Sequence, residues 1–170
     1  MLFASGAALV ATPAAATSRD MTIRTQVATP LSISSTRDLN FGTIIRGTTA
    51  GTVTINARTG ARTRTGGVAL QGTVTDPTAA FVVTGTAGRL FRLTLSAGTI
   101  TLNRVGGGAT MTLNTLRVSH NGAAPQTAPR NFTIPAGGAS TLAVGGRLNV
   151  GANQADGIYT GTFAVTADYQ

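Results

Sequence analysis

The chain contains no cysteine, lysine, glutamate or tryptophan and a single histidine, His120, among its 170 residues. Without cysteine there is no disulfide scaffold, no thiolate metal site and no cysteine nucleophile. One imidazole leaves little material for histidine-based metal binding or acid–base chemistry. Lysine and glutamate are the straight-chain residues that usually cover helix surfaces. Threonine, glycine, valine, leucine and alanine fill the chain instead, a mixture that favours strands and turns over a helical bundle. Acidic groups are scarce as well, since 5 aspartates stand against 13 arginines for a formal net charge of +8. Asp76 and Asp156 fall in Asp-Pro and Asp-Gly turns, where a carboxylate bonds nearby backbone, so no carboxylate pair suited to glycoside hydrolysis emerges. No D-x-D-x-D-G run suggests a calcium loop. No stretch of about 18 residues is apolar enough to span a bilayer, so no integral membrane span is expected. With 42% hydrophobic and 11% charged residues the chain is too apolar for a disordered one, and its length suits a single core.

Residues 1–16 read MLFASGAALVATPAAA, an apolar run followed by Pro13 and the small residues Ala14, Ala15 and Ala16. The A-x-A spacing is that of a signal peptide cut after Ala16, which predicts an exported mature chain. Residues 17–36 then form an extension, and 37–170 the main domain.

In the extension the hydrophobic pattern has a period of two. Met21, Ile23, Val27, Leu31 and Ile33 share one face of a long extended segment, and Pro30, which has no N–H for a ladder, predicts an edge or a bend. Short strand patterns follow at 39–45, 51–56, 68–75, 80–84, 90–95, 99–103, 111–119, 131–134, 140–144 and 158–169, separated by Gly, Pro and Asp turns. Several short strands with such punctuation predict an all-β, antiparallel sandwich or barrel. In the last pattern Tyr159, Phe163, Val165 and Tyr169 lie on one face.

Few residues invite a chemical role. His120, in Ser-His-Asn-Gly at a strand end, has no second histidine and no nucleophile elbow beside it. The Gly106-Gly107-Gly108 run lacks the GK[ST] ending of a phosphate loop and reads as a turn. Arg58, Arg62 and Arg64 make the densest basic loop, within 57–67, and Arg suits phosphate or anionic lipid headgroups. No aromatic residue is interleaved there, which argues against a nucleic-acid platform and leaves solubilising charge as the simplest role. No catalytic residue, metal site or cofactor is expected, and the chain reads as non-enzymatic.

An extended segment with alternate apolar residues, placed before the globular strands, is what strand addition between chains requires. Head-to-tail pairing of that kind builds a filament. The stretches Leu142–Val150 and Asn153–Tyr169, with the motif Gly157-Ile158-Tyr159-Thr160-Gly161-Thr162-Phe163-Ala164-Val165, resemble the carboxyl end of bacterial pilin-type domains. Leu31-Ser32-Ile33 leading to Asp38-Leu39-Asn40-Phe41-Gly42 resembles their start. Together they are similar to an exported bacterial family of unknown function, close in pattern to chaperone–usher pilins and spore-coat-U-type subunits. The pilin cysteine pair that braces the early strands is absent. The resemblance implies an immunoglobulin-like sandwich lacking its last strand. Met21, Ile23, Val27, Leu31 and Ile33 would then donate a strand, and Tyr159, Phe163, Val165 and Tyr169 would border the acceptor groove. It also implies self-association into a pilus or fimbria at the cell surface, with a periplasmic chaperone and an outer-membrane usher as partners. The alternative is a self-complemented, monomeric secreted module that binds carbohydrate or an anionic cell-surface component through its exposed threonine strands.

Overall fold

A computed structural model describes Arg19, residues 21–96 and residues 98–170, so the signal-peptide reading of 1–16 lies outside the described residues. Every element in that range is a strand: β1 (Ser32–Arg37), β2 (Thr43–Ile45), β3 (Gly51–Ile55), β4 (Arg62–Gly66), β5 (Ala69–Gln71), β6 (Ala79–Thr84), β7 (Leu90–Leu95), β8 (Thr99–Arg104), β9 (Thr110–His120), β10 (Arg130–Thr133), β11 (Ala139–Val150), β12 (Tyr159–Thr160) and β13 (Val165–Tyr169). The fold is an all-β antiparallel sandwich of the immunoglobulin-like kind. One large curled sheet runs β1-β6-β11-β9-β8-β12, with β3 and β4 added on β11. A second sheet, β10-β7-β13, packs against it, and β2-β5 forms a small ribbon. The core between the layers holds Val53, Val83, Phe91, Leu93, Ile134, Leu142 and Val144, all buried.

Strand β11 organises the large sheet. Its first half, Ala139 to Val144, pairs with β6, its second half, Arg147 to Val150, pairs with β3, and β9 accompanies it from Leu142 to Asn149 on the other side. At the changeover stand Gly145 and Gly146. The facing strand β9 carries an extra residue there, Thr115, whose φ of 51° is unusual for a β-branched residue and marks a bulge. The bulge shifts the inward parity of β9 by one, so that Leu113 before it and Leu116 and Val118 after it all reach the core. A methyl group on Gly146 would lie 2.9 Å from Leu116 Cδ2 and 3.0 Å from Leu113 Cδ1, and one on Gly145 would lie 2.8 Å from Ala57 N. Gly145 therefore requires the absence of a Cβ, whereas a Cβ at Gly146 would displace the leucine tips.

Four sequence expectations are corrected. The extended segment 21–33 is not one strand, because the ladder begins at Ser32, where β1 pairs antiparallel with β6 of its own domain. The large sheet therefore includes Ser32–Arg37. The basic loop contains a strand, β4, which forms a hairpin with β3 closed around Asn56, whose Oδ1 accepts from Arg58 N at 2.9 Å and Thr59 N at 3.2 Å. The pattern at 140–144 continues to Val150, because Gly145 and Gly146 accommodate close approach and do not end the strand. The pattern at 158–169 divides into β12 and β13, because Tyr159 pairs with β8 in one sheet while Val165 to Tyr169 pair with β7 in the other.

Gly145→Val should overpack this junction against the Ile55–Ala57 backbone and lower unfolding free energy by about 1–3 kcal/mol or more, measurable as a lower urea midpoint with unchanged slope.

Candidate functional site

The last strand and the first strand lie side by side as two edges. β13 pairs on one side with β7, β1 pairs on one side with β6, and no ladder bond joins β1 to β13 among the described residues. The two are tied at one end. Tyr169 Oη donates to Thr29 O at 2.7 Å and accepts from Thr86 N at 2.7 Å, while Thr29 N donates to Thr86 Oγ1 at 2.7 Å. At the other end Phe163 meets Phe81 edge-on, with ring centroids 6.2 Å apart. A cavity of about 460 Å³ opens there between the curled ends of the large sheet, with Leu39, Phe41, Phe81, Leu102 and Phe163 among its apolar walls. Ser35, Arg37 and Asp38 line its polar side. Since Ser35 and Arg37 sit by Phe163 while Thr29 sits by Tyr169, β1 and β13 run in opposite directions along the gap.

The proposed donor residues separate into two groups. Leu31 and Ile33 are half-buried against their own core, Ile33 within β1 opposite Val83. Met21, Ile23 and Val27 form no strand and stand 90%, 94% and 91% exposed. Three large alternate apolar side chains in water on one segment are an uncovered apolar stripe. The proposed groove residues also separate. Val165 and Tyr169 belong to β13 and pack partly against the core, and Phe163 lies at the cavity. Tyr159 belongs to β12, where its hydroxyl donates to Ala155 O at 2.7 Å and accepts from Gln154 Nε2 at 2.8 Å. It reaches the same cavity from the opposite wall.

The structure divides the basic loop. Arg62 donates from Nη1 to Phe41 O at 2.8 Å and from Nη2 to Gly72 O at 2.6 Å, and Arg64 donates from Nη1 to Val68 O at 2.9 Å. Both guanidinium groups close backbone carbonyls just outside the ends of β2 and β5. Arg58 stands exposed at the hairpin turn. The other strongly placed pair is Arg46 with Asp156, at 2.8 Å on the surface, where the guanidinium holds the carboxyl below its usual value.

His120 sits at the end of β9 with its ring 4.7 Å from that of Phe132. Its Nε2 lies 3.1 Å from Ser140 Oγ and 3.2 Å from Asn121 Nδ2. Ser140 is wholly buried, which denies a substrate access to its hydroxyl. Burial pushes the imidazole below its ordinary value. No group of three or more metal-ligating side chains occurs among the described residues. No helix in that range is long and apolar enough to cross a membrane.

The large sheet turns a second feature outward. Thr65, Thr52, Asn149, Thr112 and Thr101 are cross-strand neighbours over β4, β3, β11, β9 and β8, a row of hydroxyls and amides without charge. These side chains bond each other, as Thr52 Oγ1 with Thr65 Oγ1 at 2.7 Å and Asn149 Nδ2 with Thr112 Oγ1 at 3.1 Å.

Residues 31–169 match the family described as Domain of unknown function (DUF4402). The chain belongs to that family. The match begins at Leu31 and ends at Tyr169, both of which approach Gly85, so the exposed apolar stripe falls just before the DUF4402 domain. No curated protein and no solved structure matches the chain.

Two outcomes check these placements. Arg62→Ala leaves the Phe41 and Gly72 carbonyls without a charged donor and should cost about 1–3 kcal/mol, whereas Arg58→Ala should be neutral in the same denaturation assay. His120 binds its proton more weakly folded than unfolded, so stability is full above the ordinary value of 6.5 and is lost as pH falls through it. The unfolding midpoint should drop between about pH 7 and pH 5, and His120→Gln should flatten that drop.

Proposed function

We propose that this DUF4402 domain is a non-enzymatic structural subunit of a bacterial surface fibre, a pilus or fimbria, assembled by donor-strand complementation. The observation that carries the reading is a pair of complementary defects in one molecule. The domain has two neighbouring edges, β1 and β13, that share no ladder and diverge toward an apolar cavity at the Phe163 end, and the segment before it carries an apolar stripe that its own fold leaves in water. An extended strand laid in the gap would satisfy backbone groups of β1 and β13, and its alternate side chains would enter the cavity. Residues 21–28 reach at most about 29 Å when extended, and the edge from Phe163 to Tyr169 is roughly 23 Å long, so the segment of a second copy entering at Phe163 is long enough to run up to the Tyr169 clamp.

The reading implies export, a periplasmic chaperone that covers the gap before assembly, and an outer-membrane usher. These follow from the resemblance to chaperone–usher pilins and from the apolar surface that must be shielded in transit. Self-complementation, the reading of a monomeric module, is less well supported because Met21, Ile23 and Val27 are not packed on their own domain.

Ile23→Asp with Val27→Asp in the full chain tests the assignment. Both side chains are over nine-tenths exposed in the single subunit, so the double variant should melt where the parent does. The parent should give a ladder of multiples on unboiled gels and the variant a single band. A parent that is monomeric by light scattering, or a variant that still ladders, overturns the reading.

A further inference from the structure

The gap and the segment that would fill it belong to the same chain and adjoin each other at Thr29, so something must prevent the short route in which each domain fills its own gap. We propose that the Tyr169 hydroxyl is the positioning group that keeps the amino-terminal segment out of its own gap and makes complementation intermolecular. This inference rests on the assembly reading above.

The geometry is local. To enter its own gap the segment would have to reverse at residues 29–31 and run back between β1 and β13. Those three residues are already committed. The N–H of Thr29 donates to Thr86 Oγ1 and its carbonyl accepts from Tyr169 Oη, so both groups that would enter a new ladder are taken. Pro30 has no N–H to give. Leu31 packs on the core, and a methyl group on Gly85 would lie 3.0 Å from its Cδ1. The residue before a proline also favours extended backbone, which carries the chain onward from β1. Tyr169 completes the arrangement because it is the last residue of β13, the edge on the far side of the gap. Its hydroxyl also takes the Thr86 N–H, and Arg89 lies over its ring at 5.8 Å, so the phenol is held from several directions. The closed end of the gap is therefore the end from which the segment departs, and the open cavity at Phe163 is the end its own residues cannot reach without breaking the clamp.

Tyr169→Phe removes the hydroxyl and keeps the ring. In the full chain, two readouts separate self-filling from assembly: the ladder on unboiled gels, and trypsin cleavage after Arg24 in the monomer fraction, followed by mass spectrometry. In the parent, Arg24 of the monomer lies in the exposed segment and should be cut quickly. The variant should raise the monomer share several-fold and slow cleavage after Arg24 by about tenfold or more, because the segment now lies in its own gap. Thr86→Val, which removes the acceptor for Thr29 N–H, should move both readouts the same way and serves if Tyr169→Phe folds poorly. A ladder and a cleavage rate unchanged in both variants overturn the clamp while leaving the assembly reading intact. Loss of the ladder with Arg24 still cut quickly also overturns it, since the hydroxyl would then only shape the acceptor. A parent without a ladder overturns both readings together.

Discussion

Strand β11 carries three ladders of the major sheet, with β6, β3 and β9, and it can hold all three only because Gly145 presents no side chain to the Ile55–Ala57 backbone. At Gly145 and Gly146 it exchanges one neighbour for another, β6 for β3, without leaving the sheet. The chain of β3 and Ala57 closes over one glycine, and the leucines brought inward by the β9 bulge close over the other. Thr115, held at positive φ, is the local strain that accompanies this arrangement. Through β6 on one side and β9 and β8 on the other, β11 links β1 and β12, which stand on opposite walls of the apolar cavity.

The arginines show how an all-Arg cation set behaves when strands outnumber side-chain acids. With 5 aspartates for 13 arginines, most guanidinium groups cannot find a carboxylate. Several end on backbone carbonyls instead: Arg62 on Phe41 and Gly72, Arg64 on Val68, and Arg104 on Asp156. A fork of donors that stays charged is well suited to closing the carbonyls that connecting loops leave unpaired. The density of arginine near residue 60 thus reflects loop carbonyls more than an anionic ligand.

Much of the fold was legible in period and punctuation, and the exceptions have physical causes. The alternation of Tyr159, Phe163, Val165 and Tyr169 predicted one inward face, and all four are half-buried. The same alternation could not reveal that the strand breaks at 161–164, because that break is a passage from one sheet to the other, set by distant partners on β8 and β7. The β4 strand was hidden by Arg62 and Arg64 at inward positions, where a pattern reader expects apolar residues and where distant carbonyls supply the compensation. Met21 to Ile33 carried a strand-like period throughout, yet only its end finds a ladder within the domain. Periodicity reports what a segment can pair with, and the identity of the partner lies outside the segment. The Tyr169 clamp left no sequence signal beyond a tyrosine at the end of the last strand, since it joins residues 140 apart.

That clamp fixes where tension would enter the molecule. A pull on the amino-terminal segment arrives at Thr29 and divides at once between Thr86 and the final residue of β13, before it reaches β1. The β1 ladder bonds lie across the strand, so load along it is shared by all of them and none opens alone. In a fibre, β13 of each subunit would also border the neighbour's inserted strand. Force would then pass from one subunit to the next along last strands and tails, with the hydrophobic core standing beside the load path and not within it.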